Sequence, residues 1–194
     1  MQLKNIQIRR AESSDCSSIG LVHYRAHKLS FKEFTEESWI RERDLKHYRE
    51  YWCKYLSEQP VDELTFVGIL GEMTVGTVTI IPASQSSAAF IPRYTYEYDD
   101  PEISCIRLMY VDPDHQRNGI GTELIRVATR KMVEQGNNIG TLITHAANKG
   151  SRRYYESHGW VLDEVFERQV EEFFPEPQGM RKRARYRKKL VAVK

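Results

Sequence analysis

The stretch MYVDPDHQRNGIG, residues 109–121, carries the strongest signal about the fold. It begins at the end of the apolar run 106–111, which predicts a buried strand, and it leads into a segment whose apolar residues recur at helical spacing. Gly119 and Gly121 stand where that helix would begin. The first turn of a helix has about four backbone N–H groups without an intrahelical partner, and glycine lets a ligand approach them closely. The stretch therefore predicts an anion site between a strand and a helix.

Better-known loops of similar composition are excluded by their spacing. An EF-hand register that starts at Asp114 would need a bidentate glutamate where Ile125 stands, so the loop is not a calcium site. A dinucleotide-binding GxGxxG motif would need a third glycine where Leu124 stands. A P-loop needs the sequence Gly-Lys-Ser/Thr, which is missing. What remains is a phosphate-binding loop at 116–121, with Arg117 as an additional positive charge.

Residues 112–121, called the glycine loop below, match a family motif. The spacing Gln116-x-x-Gly119-x-Gly121 resembles the [Q/R]-x-x-G-x-[G/A] motif of the GCN5-related N-acetyltransferases, the GNAT superfamily. The residues MYVDP at 109–113 resemble the segment in which the preceding strand of that family ends. The resemblance implies an acetyl-CoA-dependent N-acetyltransferase.

A second segment, 148–160, resembles the family pattern Asn-x-x-Ala-x-x-Leu-Tyr-x-x-x-Gly-Phe. The positions that match are Asn148, Tyr155 and Gly159, and the conservative departures are Ser151, Tyr154 and Trp160. The resemblance is strong over 103–166 and topological elsewhere. It implies one N-acetyltransferase domain at 1–194, of the α/β class (α+β type). Its fold would be a mixed, mostly antiparallel sheet flanked by helices, with central strands that splay apart.

Hydrophobic patterning predicts a compatible order of elements. Strands are predicted at 3–10, 64–70, 73–81, 103–111, 139–144, 160–166 and 185–193. Helices are predicted behind Asp15, where a short one is expected, and at 35–58, 119–135 and 148–158. Gly71-Glu72 predicts a two-residue hairpin turn. Hairpins around one strand–helix–strand crossover predict a sheet that is antiparallel first and parallel across the crossover.

The resemblance implies acetyl-CoA as the cosubstrate and no metal. In the family, main-chain amides of the loop bind the pyrophosphate, and the preceding strand pairs with the pantetheine arm. Carried over position by position, the cosubstrate-binding residues are Met109, Tyr110, Val111, Gln116, Arg117, Asn118, Gly119, Ile120, Gly121, Thr122 and Asn148. Asn148 has a second interpretation, because its residue type also favours a helix N-cap.

The resemblance also implies direct attack of an amine on the thioester carbonyl. A backbone N–H near Tyr110 or Val111 would stabilise the developing oxyanion. Tyr155 aligns with the family tyrosine that serves the departing thiolate, and it is the predicted catalytic residue on that side. The neighbouring Tyr154 is assigned to packing.

The general base is predicted less directly. Many family members have a glutamate on the strand before the loop, whereas residues 103–109 contain no carboxylate. Glu102, at the start of that strand, is the leading candidate. Other ionisable groups near the strand are Glu97, Asp99, Asp100 and His145, each expected to be a surface charge or a hydrogen-bonded histidine.

The acceptor amine would be bound by the divergent parts of the family fold, which correspond to 15–60, 82–101 and 168–189. The segment RYTYEYDD at 93–100 sets tyrosines among carboxylates, which suits a cationic amine. The sequence therefore favours a small amine or polyamine, with a peptide or protein N-terminus as the alternative. The long connection 82–101 is interpreted either as a binding loop or as an insertion without that role.

The basic run RKRARYRKK at 181–189 has two interpretations. It would suit contact with RNA, or it would pair across a hairpin with acidic residues. Those acidic residues are Glu164, Glu167, Glu171 and Glu172. The formal net charge of only +2 favours the hairpin, so nucleic acid is not expected as a partner. Rival functions left open are a non-catalytic acyl-CoA-binding regulator and a nucleic-acid-binding module.

Composition limits the remaining classes. The 194 residues, 40% of them hydrophobic, fit a single folded domain. Cys16, Cys53 and Cys105 are odd in number and far apart, so neither a disulfide framework nor a metal-binding CxxC pair is predicted. No stretch resembles a signal peptide or a membrane span. We therefore expect a cytoplasmic protein without membrane contact, and a homodimer is left open.

Overall fold

The computed structural model describes residues 6–41, 43–82, 103–167 and 178–191. The strands are β1 (Ile6–Arg10), β2 (Leu64–Leu70), β3 (Met73–Pro82), β4 (Ile103–Val111), β5 (Ile139–His145), β6 (Val161–Glu167) and β7 (Lys182–Lys189). The helices are α1 (Cys16–Phe31), α2 (Glu37–Arg41), α3 (Leu45–Ser57), α4 (Ile120–Glu134), α5 (Lys149–Ser157) and α6 (Gln178–Arg181).

The strands form one seven-stranded sheet in the order β1-β2-β3-β4-β5-β7-β6. Its pairs are antiparallel except for β4 and β5, which run parallel because the chain crosses from one to the other through α4. The predicted mixed, mostly antiparallel sheet is confirmed. The predicted hairpin between β2 and β3 is also present, and Gly71 in its turn has a φ of 62°, a conformation that glycine adopts without strain.

A bulge in β4 separates the two central strands. The register between β3 and β4 shifts by one residue at Arg107, which has no partner on β3, and such a bulge bends a strand. The ladder between β4 and β5 ends beside it, at the pair Ile106–Leu142. Both strands continue, β4 to Val111 and β5 to His145. The second halves of β4 and β5 do not pair with each other, and the gap between them is called the strand opening below. This gap confirms the predicted splay.

Helices cover both faces of the sheet. On one face, α4 packs on a core that contains Phe66 and Leu124. On the other face, α1 and α3 enclose a smaller core with Ile19, Trp52 and Val67. Successive residues of a strand point to opposite faces, so the neighbours Phe66 and Val67 assign the two cores to opposite sides of β2. The strand opening therefore has an α4 side and an α1 side.

The helices of the α1 side differ from the prediction. α1 has 16 residues and is not the short helix expected behind Asp15. The prediction of one helix over 35–58 is wrong, because α3 begins anew after an N-cap. The cap is Asp44, whose carboxylate accepts the backbone N–H of His47 at 2.9 Å. The aromatic spacing behind the cap is helical, as predicted, and buries Tyr48, Trp52 and Tyr55.

A disulfide joins Cys16 of α1 to Cys53 of α3, which corrects the prediction made from cysteine number and spacing. Cys105 is a buried free thiol. The two helices pack so closely that a Cβ atom on Gly20 would lie 2.8 Å from the Cα of Arg49. This close packing brings together two cysteines that are far apart along the chain, and sequence spacing contains no sign of it.

The C-terminal hairpin begins earlier than predicted. β7 starts at Lys182, where 185 was expected, and α6 precedes it. Arg185 donates to Asp163 at 2.6 Å and to Glu164 at 2.8 Å. The hairpin interpretation of the basic run is thus confirmed for Glu164, with Asp163 as a further partner. None of the described helices is long and apolar enough to cross a membrane.

Candidate active site

The glycine loop makes the short turn Pro113–His115 and then enters α4. Gly119 is the N-cap residue, with a left-handed φ of 85° that favours glycine. Arg117 also has a positive φ, 61°. Residues 116–119 are exposed, so the first turn of α4 starts at the surface. Its N–H groups lack intrahelical partners, and Gly119 has no side chain to cap them. They can therefore receive an anion, as the sequence predicts.

A buried carboxylate anchors the glycine loop to α1. Asp112 accepts the backbone N–H of Asp114 at 3.0 Å and lies 3.1 Å from Nδ1 of His115. It also accepts from Arg25 of α1 at 2.9 Å, and the same guanidinium donates to Asp114 at 2.6 Å. The loop is consequently held in one conformation before any ligand binds.

The polar side chains of the loop bond to the loop itself. Gln116 donates through Nε2 to the carbonyl of Val111 at 3.3 Å, and Asn118 donates to the carbonyl of His115 at 3.4 Å. Arg117 extends at the exposed surface. For the predicted residues Gln116 and Asn118, the structure thus gives a loop-shaping contact, and the groups left for an anion are main-chain amides.

The second half of β4 offers an open strand edge. Met109, Tyr110 and Val111 pair with β3 on one side, while the ladder to β5 has already ended on the other. All three side chains are half-buried. Met109 and Val111 pack against the core on the α4 side, and Tyr110 packs on the α1 side. An edge of this kind can pair with an extended ligand that enters the strand opening.

Tyr155 of α5 lies on the α4 side of the strand opening. Its ring packs 6.4 Å from Trp160 and 6.2 Å from Tyr186, measured between centroids. Burial raises the pKa of the Tyr155 hydroxyl, and the nearby Cys105 thiol of β4 raises it further. The phenol therefore stays protonated at neutral pH and can only supply a proton there.

Tyr154 packs against the start of α4. A Cβ atom on Gly121 would lie 3.0 Å from the Tyr154 hydroxyl oxygen, so a larger residue here would require the Tyr154 side chain to shift. Burial raises the pKa of Tyr154. In the same turn, Ile120 is buried in the core and Thr122 Oγ1 lies 3.0 Å from Nε2 of His158. These contacts fix the helix that presents the exposed amides.

Asn148 is the N-cap of α5. Its Oδ1 accepts the backbone N–H of Ser151 at 2.9 Å, which is the capping interpretation raised by its residue type. A contact between Asn148 and a cosubstrate stays a prediction.

A hydrogen-bonded aromatic group, which no sequence motif indicates, lies on the α1 side of the strand opening. Its members, called the imidazole network, are His23 and His27 of α1, Tyr48 and Trp52 of α3, and Tyr110 of β4. Trp52 Nε1 donates to His23 Nδ1 at 3.0 Å, and the two histidine Nε2 atoms lie 2.9 Å apart. His27 Nδ1 lies 3.0 Å from the Tyr48 hydroxyl, and His27 Nε2 lies 3.1 Å from the Tyr110 hydroxyl.

Both histidines of the network are neutral. Burial holds the pKa of His23 well below its ordinary value, and His27 and His47 lower it further. Burial also lowers the pKa of His27 to about 3, with smaller contributions from His145 and Arg43. The only sign of His23 and His27 in the sequence is their four-residue spacing on one helix. That spacing does not predict their contacts with Tyr48, Trp52 or Tyr110.

A buried ion pair braces the bulge of β4. Glu63, next to β2, is fully buried and accepts the hydroxyl hydrogen of Tyr55. Arg107 Nη1 lies 3.4 Å from the same carboxylate, and its guanidinium carbon lies 5.1 Å from the centroid of the Tyr55 ring. Burial raises the pKa of Tyr55, and the bond to Glu63 raises it further. A buried charge needs a partner, so this pair helps to fix the bulge that creates the strand opening.

The predicted base lies outside the described residues. That base is Glu102, and the other carboxylates considered with it, Glu97, Asp99 and Asp100, lie outside as well. Two of the predicted hairpin partners, Glu171 and Glu172, also lie outside the described residues. Residues 83–101 are outside as well. His145 is described, and its Nδ1 lies 2.7 Å from Nη1 of Arg183. The same nitrogen lies 3.2 Å from the carbonyl oxygen of Met180, so it is engaged by contacts within the protein. Within the described residues, no group of three or more His, Cys, Asp or Glu side chains is placed to hold a metal ion.

Comparison with known sequences identifies a family. The sequence profile described as Acetyltransferase (GNAT) family matches residues 25–160. N-alpha-acetyltransferase 30 of Mus musculus is 28% identical over 162 residues, which are 83% of this chain and 40% of that protein. The protein of the same name from Homo sapiens is 31% identical over 101 residues, which are 52% of this chain and 25% of that protein. The chain thus spans 40% or less of the length of these curated relatives.

Solved structures share the fold over almost the whole chain. The PaiA N-acetyltransferase from Thermoplasma acidophilum, solved in complex with coenzyme A, has a TM-score of 0.65 at 17% identity and covers 96% of this chain and 99% of its own. At this identity the likeness shows the fold alone.

Proposed function

This chain belongs to the Acetyltransferase (GNAT) family, and on that premise we propose that it transfers the acetyl group of acetyl-CoA to a primary amine. The observation that carries this proposal is the strand opening beside the first turn of α4. An open strand edge and a row of exposed helix-terminal amides lie next to each other, which matches an elongated ligand with a diphosphate at one end.

The described residues fit acetyl-CoA. The main-chain amides at 117–122 would bind its diphosphate, and Arg117 would add a positive charge. The open edge of β4 at 109–111 would pair with the pantetheine amides. The ligand itself supplies an acetyl group activated as a thioester. Asn148, a helix N-cap that follows β5, would contact the arm with the amide nitrogen that capping leaves unused.

The chain would contribute a hydrogen-bond donor on each side of the reacting bond. A backbone N–H of β4 near Tyr110 or Val111 would stabilise negative charge on the carbonyl oxygen. The Tyr155 hydroxyl, kept protonated by burial, would donate a hydrogen bond to the departing thiolate and stabilise its negative charge. Glu102 stays the proposed base from the sequence.

The acceptor that we favour is the amine at the N-terminus of a peptide. The names of the curated relatives, N-alpha-acetyltransferase 30, support this choice. The tyrosine- and carboxylate-rich segment that favoured a polyamine lies outside the described residues.

An acceptor panel tests the proposal. Acetyl-CoA turnover would be followed by release of free CoA, with the product located by mass spectrometry. The panel contains peptides with free N-termini, the same peptides with a formylated N-terminus and an internal lysine, and spermidine. We expect turnover with the free N-termini and loss of turnover on formylation. Turnover with spermidine and with none of the peptides would show that the acceptor is a polyamine and not a peptide N-terminus. Tight binding of acetyl-CoA without turnover of any amine would contradict the enzyme and support a non-catalytic regulator.

A further inference from the structure

The imidazole network has a fixed direction of hydrogen bonding. The indole N–H of Trp52 can only donate, so Nδ1 of His23 is an acceptor. A neutral His23 must therefore carry its hydrogen on Nε2. That hydrogen points to His27 Nε2, 2.9 Å away. Trp52 thus selects the tautomer of His23.

The same logic fixes His27. Its Nε2 accepts from His23, so its own hydrogen is on Nδ1 and is donated to the Tyr48 hydroxyl at 3.0 Å. The Tyr110 hydroxyl, 3.1 Å from His27 Nε2, faces a nitrogen without a hydrogen and must direct its own hydrogen there. His23 and Tyr110 share the single lone pair of His27 Nε2. No lone pair is left on His27 to receive a proton, so this residue is not a base.

The network lies beside the strand opening. Tyr110 belongs to the half of β4 beyond the last pair with β5, and its ring stacks on His23 at 3.9 Å with an interplanar angle of 18°. His27 packs 4.3 Å from Phe31, and Phe31 packs 5.3 Å from His145 at the end of β5. The Tyr110 hydroxyl is consequently held against α1, on the α1 side of the opening.

We propose that the imidazole network positions the acceptor amine through Tyr110. The network takes up the hydroxyl hydrogen of Tyr110, so the oxygen acts as an acceptor and receives one N–H of the amine. An amine held by that N–H has its own lone pair free for attack, and orientation of this kind contributes directly to rate. Tyr110 then touches the substrate, whereas His23, His27, Tyr48 and Trp52 act through it. This role rests on the proposed acetyltransferase function.

The first test reads the tautomers directly and needs no turnover. Long-range ¹⁵N–¹H correlation spectra of the whole chain, labelled at histidine, distinguish a protonated from an unprotonated ring nitrogen. We expect hydrogen on Nε2 of His23 and on Nδ1 of His27, unchanged from about pH 5 to 8. The charged or titratable groups that face the pair are His47 and Arg43, His145 across the opening, and the phenols of Tyr48 and Tyr110. The opposite tautomers, or titration of either ring within that range, would overturn the network.

A matched variant sharpens this measurement. Trp52→Phe removes the donor that selects the His23 tautomer, so His23 should become a mixture of tautomers. Tyr24→Phe removes a hydroxyl from α1 whose ring is 5.7 Å from Tyr48 but which is not a member of the network, and it should leave both tautomers unchanged. A single His23 tautomer that persists in Trp52→Phe would contradict the direction assigned here.

The second test measures whether His27 acts through Tyr110. We expect Tyr110→Phe and His27→Ala each to lower kcat/KM for the acceptor about tenfold, the loss of one hydrogen bond, with acetyl-CoA affinity unchanged. The double variant should lose no more than either single one, because both changes remove the same contact. His27→Gln, whose carbonyl oxygen can accept from Tyr110, should recover most of the rate. Tyr24→Phe serves as the unchanged control.

The two tests separate the possible failures. Multiplicative losses in the double variant would show that His27 does not act through Tyr110. Unchanged kcat/KM in Tyr110→Phe would remove the contact to the amine. If the wild-type chain acetylates no amine, the proposed function fails, while the tautomer spectra still decide whether the network exists as described.

Discussion

The two sides of the strand opening differ in what their candidate sites are made of. On the α4 side, the site consists of main-chain amides and a strand edge, shaped by Gly119 and the neighbouring turn. On the α1 side, it consists of side chains from three elements, such as His27 and Tyr110, which are 83 residues apart in sequence. A backbone site needs particular residues at fixed spacing, so it leaves a motif. A side-chain site depends on packing, so it leaves none.

The largest effect that we predict is a loss of stability on replacing Glu63, on the α1 side. Glu63→Ala leaves the Arg107 guanidinium buried without its carboxylate, and breaking such a pair costs about 3–5 kcal/mol of unfolding free energy. Urea denaturation followed by circular dichroism measures it. Glu58→Ala, at the exposed C-cap of α3, is the control and should change stability by less than about 0.5 kcal/mol. A loss of similar size in both variants would show that the buried pair of Glu63 and Arg107 does not contribute more to stability than an exposed charge.

The pH dependence of stability tests the neutral histidines. The pKa of His27 is about 3 in the folded chain and about 6.5 when unfolded, so the unfolded state binds more protons between these values. The free energy of unfolding should therefore fall on acidification below about pH 6.5, by up to about 1.4 kcal/mol per pH unit for this one group. Urea denaturation near pH 7 and near pH 5.5 measures the difference.

Two variants locate the source of that pH dependence. His27→Gln should reduce it and leave the contribution of His23, whose pKa is also lowered by burial, whereas His47→Gln, which changes an exposed histidine of α3, should keep most of it. If the pH dependence of stability were unchanged in His27→Gln and lost in His47→Gln, its source would be His47, which would contradict the role given to His27.

Tyr155 tests the α4 side through catalysis. Tyr155→Phe removes the proposed hydrogen-bond donor to the thiolate, and loss of a donor to developing negative charge lowers kcat by about 10²-fold or more. Steady-state kinetics with a peptide acceptor gives kcat, and calorimetry gives the affinity for acetyl-CoA, which should stay within about twofold. Tyr154→Phe removes the neighbouring hydroxyl and should have a much smaller effect. Equal losses in the two variants would contradict the assignment of Tyr155.

The smallest predicted effect is a change in stability and acetyl-CoA affinity on replacing Gly119, and it distinguishes backbone strain from contact with the ligand. Gly119→Ala places a side chain at a φ of 85°, which costs about 1–2 kcal/mol of stability. Gly136→Ala, at a φ of 86° beyond the other end of α4, imposes the same strain. Both new methyl groups would point into open space, but only the one at Gly119 stands in the proposed diphosphate site. Calorimetry should show weaker acetyl-CoA binding for Gly119→Ala alone, and equal weakening in both variants would argue against that site.

The sequence predicts the elements that depend on local chemistry. Gly71 marks the turn of the first hairpin, and the glycine loop marks the start of α4, since each position needs a conformation that few residues adopt. The order of strands follows from runs of alternating or apolar residues. The splay of β4 and β5 came from the family resemblance, and the structure supplies its physical cause in the bulge at Arg107.

The features that the sequence did not predict depend on contacts between distant segments. The cap at Asp44 splits the helix predicted over 35–58, and an aspartate followed by helical spacing could have indicated it. The disulfide between Cys16 and Cys53 depends on how closely α1 packs on α3. The pairing of Glu63 with Arg107 depends on where β2 begins relative to the bulge of β4. No local rule places these groups in contact.

Amide hydrogen exchange with and without acetyl-CoA tests the central claim, that the glycine loop and the open edge of β4 hold the cosubstrate. The account predicts that acetyl-CoA slows exchange at the amides of 117–122 and at 109–111, and leaves α1 and α3 nearly unchanged. Protection confined to α1 and α3, or no protection at the first turn of α4 under saturating acetyl-CoA, would contradict it.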